Sequence, residues 1–273
     1  MTQHTEIQNR PVVVAGNGAS LAHLPVGVIR ADDFIIRTNN FFFERSFHLG
    51  QRVDMAFMGG DPRVAPFMFE TLYRCRADYD LRSWSSHNPK VIRAGQRRFK
   101  QSFQPMRYRD SALEAEVRQL ITRHERHPTT GIYAVLMAHG LGAERIILAG
   151  MDFYGGHTRY PFEPGPHYRA LMGQDLGQRG LDRQLHDLDL DHAILRLLQA
   201  RGDVQLWRVG DSALLRDVSA PAPDREGGVL DLPRAPPPND WAGRAGLYPI
   251  EALKLLRRSS AALRGIKNRI CAR

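Results

Sequence analysis

Five short apolar runs punctuate the first three quarters of the chain: PVVVAG (11–16), DFIIRTN (33–39), VDMAFMG (53–59), ERIILAG (144–150) and VQLWRV (204–209). Most are rich in β-branched residues and most end in glycine or asparagine, the signature of a buried strand running into a turn. Between them, APFMFETLYRC (65–75), SALEAEVRQLITRH (111–124), TGIYAVLMAHGLG (130–142) and LDHAILRLLQAR (190–201) repeat apolar residues at intervals of three and four, the helical period. Strands that alternate with helices predict an α/β fold with a mostly parallel sheet and helices on both faces, because parallel strands need crossover connections. Ligands of such sheets bind at the carboxyl ends of the strands, so Gly16, Asn39, Gly59 and Gly150 are predicted neighbours of one site.

The pattern stops near residue 216. SAPAPDREGGVLDLPRAPPPND (219–240) has the proline and glycine content of an extended linker, which ends the predicted domain at about 218. Beyond it, residues 241–273 space Leu253, Leu256, Leu263, Ile266 and Ile270 as one apolar helical stripe with arginines opposite. The stretch 157–186 is polar and rich in glycine and proline. With 273 residues, 42% of them hydrophobic, the chain can bury the core of one sizeable α/β domain.

The net charge of +9 raises the question of nucleic acid, but residues 241–273 carry eight Arg and Lys against Glu251 alone. That is 8 − 1 = +7 of the +9, so the body is nearly neutral and no nucleic-acid partner is expected. Two cysteines, Cys75 and Cys271, are too few for a disulfide framework or a cysteine metal site. MTQHTEIQNRP lacks the apolar core of a signal peptide, and no later stretch approaches the roughly 20 apolar residues of a membrane span, so a cytoplasmic protein is expected.

Four segments carry candidate chemistry. VVVAGNGASL places Gly16, Asn17 and Gly18 where backbone N–H groups can approach a phosphate at a helix N-terminus, but Leu21 stands where a dinucleotide turn needs its third glycine. An ordinary strand-to-helix turn fits equally well. Asn39 and Asn40 follow a strand, where their amides can read a base or sugar, or simply form a turn. HDLDLDH has the carboxylates a hard cation needs, yet it runs straight into a helix, where Asp189 and Asp191 are better placed to cap and favour the positive N-terminus. No metal site is therefore expected. Tyr154 and Tyr160 follow a strand end in a glycine-containing loop, so their phenols either donate to a phosphate or pack the loop. His186, at the mouth of a helix, is either a base or a capping surface residue.

Taken in order, AGNGASL, RTNNFFFE, TTGIYAVLMAHGLGAERIILAGMDFY, the Tyr154 to Tyr160 spacing, His186 followed by Asp191, and LWRVGDSALL resemble the bacterial sialyltransferases of glycosyltransferase family 42, which cap lipooligosaccharide with sialic acid. These blocks cover about residues 11–216. The resemblance implies a single Rossmann-like nucleotide-binding domain of GT-A-like type with a lid-like insertion, here about 155–185. It implies a CMP-sialic acid donor, a galactose-terminated glycan acceptor, inverting transfer, no metal or other cofactor, and assembly into a homotetramer. It makes His186 the catalytic base and puts Tyr154 and Tyr160 on the phosphate. Asn17, with Gly18 in the same turn, Asn39 and Thr130 fall on donor-contacting positions, and Gly150 and Asp152 lie in the segment that approaches the cytidine.

Two residues depart from the family pattern. His127 stands where an arginine is usual, four residues before the glycine of TTG, and Gly59 stands where a donor-contacting asparagine follows the third strand. Acceptors assembled at the inner leaflet give the basic tail a purpose as a peripheral anchor on the inner face of the inner membrane. Three other readings stay open: transfer of another CMP-activated acid sugar such as Kdo, a nicotinamide oxidoreductase, against which Leu21 argues, and a non-catalytic nucleic-acid- or membrane-binding module using the tail.

Overall fold

The computed structural model describes residues 7, 10–25, 27–177, 180–225, 232–234, 237, 244–245, 248–249, 251–252, 254–256 and 258–259. Its centre is one sheet of seven parallel strands: β1 (Val12–Ala15), β2 (Phe34–Thr38), β3 (Met55–Phe57), β4 (Trp84–Ser85), β5 (Arg145–Ala149), β6 (Gln205–Arg208) and β7 (Ala220–Pro221). The helices are α1 (Ala65–Arg74), α2 (Pro89–Phe99), α3 (Ser111–His124), α4 (Thr130–Gly140), α5 (Pro166–Met172), α6 (Leu188–Arg201) and α7 (Ala213–Arg216). In space the strands run β7-β6-β5-β1-β2-β3-β4.

Successive residues of a strand point to opposite faces, and here both faces are buried. Val12 and Val14 of β1, Ile36 of β2 and Leu148 of β5 enter an aliphatic core with α3, α4 and α6, whereas Val13, Ala15, Ile35 and Ile147 face a smaller cluster with Leu21, Val28 and Ile29. At the β3–β4 end of that second face, α1 and α2 close a third cluster that is aromatic: Phe41, Phe42, Phe43, Phe67, Phe69, Tyr79 and Trp84. The expected α/β sheet with helices on both faces is thus the observed one.

Two elements of this architecture leave little trace in the pattern. β4 is two residues long, too short to alternate, and α2 is so basic that only Val91, Ala94 and Gly95 are buried. The stretch expected to be a linker begins differently from that expectation. Ala220–Pro221 adds β7 to the sheet edge, where proline's missing N–H costs no ladder bond. Farther on, Arg225 pairs with buried Asp33, and Arg234 pairs with Asp78 while donating to the Phe42 carbonyl, both at 2.7 Å for Arg234.

The polar segment 155–185 also has an inner side. It contains α5 and buries Phe162, Tyr168, Leu171 and Leu176 in the aromatic cluster, so its periodicity is hidden by length rather than absent. Of the tail, Arg257, Leu253, Leu263, Arg264, Ile266, Lys267, Arg269 and Ile270 lie outside the described residues. Within them, Leu255 and Leu256 are exposed and Lys254 bonds Glu251 and His167. No helix among the described residues is long and apolar enough to cross a membrane.

Candidate active site

The chain lays β1 through β4 outward on one side and then returns to place β5 against the other side of β1. Between β1 and β5 the order reverses, and the crevice at the carboxyl ends of such a pair is where open α/β sheets take ligands. The two strand ends nearly touch. Gly16 and Gly18 N–H groups donate to the Ala149 and Gly150 carbonyls at 2.9 and 2.8 Å, and a Cβ on Gly16 would stand 2.3 Å from the Gly150 oxygen. Gly150 itself has φ +57°, which a side chain would disfavour.

Side chains then fix this floor. Asn17 donates to the Thr38 carbonyl at 2.7 Å, leaving its own Oδ1 buried without a protein partner. Asp152 accepts from the Ser20 N–H at 2.9 Å and from the Ser20 hydroxyl, which ties the β5 end to the 3-10 turn Ala19–His23. Its carboxylate is therefore committed to Ser20. One strand over, Asn39 sits in the left-handed region at φ +49° and its Oδ1 accepts from the Gly59 N–H at 2.8 Å. A Cβ at Gly59 would lie 2.4 Å from the Thr130 hydroxyl, so the Thr130 side chain fills the space that a residue larger than glycine would need. Asn39, Gly59 and Thr130 form one contact set.

Past β5 the backbone is strained: Phe153 and Tyr154 follow one another at φ +46° and +64°, a region non-glycine residues rarely enter. The turn delivers Tyr154 beside Arg159. The Arg159 guanidinium lies 4.8 Å from the Tyr154 ring centre and 5.3 Å from that of Tyr160, and it donates to the Tyr154 hydroxyl oxygen at 3.5 Å. On the far side, Asn40 donates to the Tyr168 hydroxyl at 2.6 Å, and Tyr168 meets the Tyr160 hydroxyl at 3.1 Å. Tyr168, which accepts from Asn40, keeps its own proton to donate onward, and either phenol of the Tyr160–Tyr168 pair can be the donor. Tyr154 thus accepts from inside and has its hydroxyl proton left for a ligand, and Tyr160 has the same freedom when Tyr168 is the donor of their pair. Burial, more than any neighbour, pushes the Tyr154 hydroxyl above its ordinary pKa, so it stays a donor.

His186 is half-buried just before α6. Its Nδ1 lies 2.9 Å from the His127 carbonyl, and because a carbonyl only accepts, Nδ1 carries the proton and Nε2 keeps its lone pair. The His127 N–H in turn donates to the Leu185 carbonyl at 3.0 Å. Burial lowers the His186 pKa, with the His127 and Arg159 charges in the same direction and the His127 carbonyl and Asp182 against it, so the ring is neutral at pH 7. Half-buried His87, stacked on Tyr133 at 3.8 Å, is held down to about 4, first by loss of hydration and then by His127 and His186.

The aspartates of HDLDLDH separate. Asp187 is the helix N-cap, accepting from the Asp189 N–H at 3.0 Å and pairing with His124. Asp191 does not cap: the fourth residue of α6 turns inward, fully buried, and accepts from the Thr129 N–H at 2.9 Å. Loss of hydration raises its carboxyl to about 7. The earlier expectation that Asp191 caps is corrected by this inward turn. Among the described residues no group of three or more acids, histidines or cysteines is placed to hold a metal ion.

The fold therefore gathers Asn17, Gly18, Gly150 and Asp152 at the reversal, with Asn39 and Thr130 one strand away. Tyr154 and Tyr160 flank Arg159, whose charge acts on Tyr154 and on His186 alike. Sequence reasoning missed Arg159, Tyr168, His87 and the role of Asn40. Only the aromatic spacing of Tyr160, Phe162 and Tyr168 could have pointed to the second phenol pair.

No protein-family model matches the chain, and no curated protein does. Solved structures do. The Campylobacter jejuni sialyltransferase CstII in complex with the substrate analogue CMP-3FNeuAc superposes with a TM-score of 0.71 at 19% identity, covering 85% of this chain and 93% of that one. The monofunctional α-2,3-sialyltransferase Cst-I of the same organism gives 0.73 at 18% identity, over 93% and 95% of the two chains. CstII with a trisaccharide acceptor and CMP gives 0.67 at 19%, over 85% and 94%. The fold is shared with these sialyltransferases.

Proposed function

We propose that this chain is a sialyltransferase that moves sialic acid from CMP-sialic acid to a galactose-type hydroxyl of a bacterial surface glycan, with inversion and without a metal ion. The observation that carries the reading is the His186 ring, protonated on Nδ1 with Nε2 free, at the same sheet end as two phenols that can both donate. The shared fold with proteins solved alongside CMP and a trisaccharide acceptor supports it.

In this reading the acceptor hydroxyl approaches Nε2. As its oxygen bonds to the anomeric carbon, its proton passes to Nε2, and the bond from that carbon to the CMP phosphate oxygen breaks with the electron pair leaving on the phosphate. Attack from the face opposite the leaving group inverts the centre. Tyr154 and Tyr160 donate to the phosphate as its charge grows, each contributing on the order of 2–4 kcal/mol to the barrier. They take the part that a divalent cation plays elsewhere, so transfer is expected to survive EDTA. Asn17 Oδ1 offers an acceptor to the nucleotide.

The test is CMP release from CMP-sialic acid with and without a β-galactoside, run beside CMP-Kdo. Release that rises with acceptor for CMP-sialic acid alone is expected; release from CMP-Kdo alone reassigns the sugar, and none from either defeats the reading. The same reading places a homotetramer at the inner face of the inner membrane, held by residues 241–273. Full-length protein should sediment with anionic liposomes at low salt and a 1–240 truncation should not.

A further inference from the structure

Three arginines whose side chains are at most 16% exposed each have an acid. Arg37 pairs with Glu44, Arg225 with Asp33 and Arg234 with Asp78. Arg159 has no carboxylate in salt-bridge reach among the described residues: it is half-buried, and its guanidinium meets the rings of Tyr154 and Tyr160 and the Tyr154 hydroxyl. Removing a charge from water is costly unless an opposite charge replaces the solvent. Ring faces compensate only part of that.

From this we infer that Arg159 is the fixed positive charge of an anion-binding site, and that the anion is the phosphate of a nucleotide. The inference rests on the reading proposed above. Three features select phosphate. A guanidinium offers five N–H donors in a planar fork that matches phosphate oxygens, and here one of them is used on Tyr154. Tyr154 and Tyr160, on either side of it, can each give a hydroxyl proton. The group also lies near enough to His186 for its charge to lower the pKa of that ring. His127, at the position where a cation could have stood, instead presents its carbonyl to His186.

The binding of CMP and of cytidine to full-length protein separates the phosphate from the base, and inorganic phosphate tests the anion alone by its effect on melting temperature. Wild type is expected to prefer CMP over cytidine and to be stabilised by phosphate. Arg159→Gln should shrink the CMP preference by about ten- to a hundredfold and abolish the phosphate effect, the worth of one or two charge-assisted hydrogen bonds. Arg159→Lys, which keeps the charge, should retain most of both and shows that the site still folds. A full CMP preference and phosphate effect in Arg159→Gln overturn the inference and leave the transferase reading standing. A phosphate effect lost in Arg159→Gln without any CMP preference in wild type supports the anion site and sinks the nucleotide reading. Neither response in wild type overturns both.

Discussion

The floor of the site and the wall above it are built on different principles. The floor, at the ends of β1, β2 and β5, is backbone meeting backbone: Gly16 and Gly18 donate to Ala149 and Gly150, and a Cβ on Gly16 has no room. The wall, from Phe153 to His186, is side chain meeting side chain: Arg159 between two phenols, Tyr168 behind Tyr160, and His186 aimed by a carbonyl. A floor of this kind fixes the shape of the crevice at the strand ends. A wall of this kind sets which polar groups face it.

That contrast breaks most visibly at His186. His186→Ala should reduce transfer about 10²- to 10⁴-fold, the usual weight of a general base, while CMP affinity stays near wild type. Steady-state rates beside a CMP titration check it, and near-normal transfer at neutral pH would remove His186 from the role. Tyr154→Phe and Tyr160→Phe should each cost about 2–4 kcal/mol of barrier, read as a fall in kcat that exceeds any change in CMP affinity. If both variants lose CMP binding with kcat intact, the phenols serve the ground state only.

On the floor the expected damage is to folding. Gly16→Ala sets a methyl against the Gly150 carbonyl and should cost about 1–3 kcal/mol of stability, with a lower melting temperature and without selective loss of kcat. A variant that melts like wild type would show that the two strand ends can part, and the crevice would then be adaptable rather than fixed.

The same difference explains what could be read in advance. Val12–Ala15, Phe34–Thr38 and Arg145–Ala149 are legible because burial on both faces forces continuous apolar runs, and Gly16 and Gly150 are legible because close approach excludes side chains. Tyr154, Tyr160 and His186 are legible only as an ordered set, since each tyrosine alone reads as loop packing and the histidine alone as a capping surface residue. Arg159 was invisible because nothing local marks it: an arginine in a polar loop is unremarked until folding strips it of an acid. Trp84–Ser85 was missed for its brevity, and the inner side of 155–185 because Phe162, Tyr168 and Leu171 are spread among prolines and glycines.

Asp191 joins the two regions, and it supplies the smallest and most specific effect. Its carboxylate holds the Thr129 N–H, one residue from Thr130 at the floor, from a helix that begins just after His186 in the wall. Its second oxygen is buried without a partner, and its pKa is raised from 3.8 to about 7, chiefly by loss of hydration. An acid whose folded pKa lies above its unfolded value keeps a proton on folding between the two, so its contribution to stability is complete below about pH 4, falls as the pH climbs, and is lost above pH 7. Asp191→Asn keeps the acceptor for Thr129 and abolishes the titration. Its stability relative to wild type should therefore rise with pH between 4 and 7 and level off above, by about 1–2 kcal/mol and by no more than about 4, the worth of three pKa units. Denaturant melts of both proteins at pH 5 and pH 8 measure the difference directly. A gap that stays constant between the two pH values would mean that Asp191 is charged and solvated in the folded protein, and that Thr129 is held in place by something else.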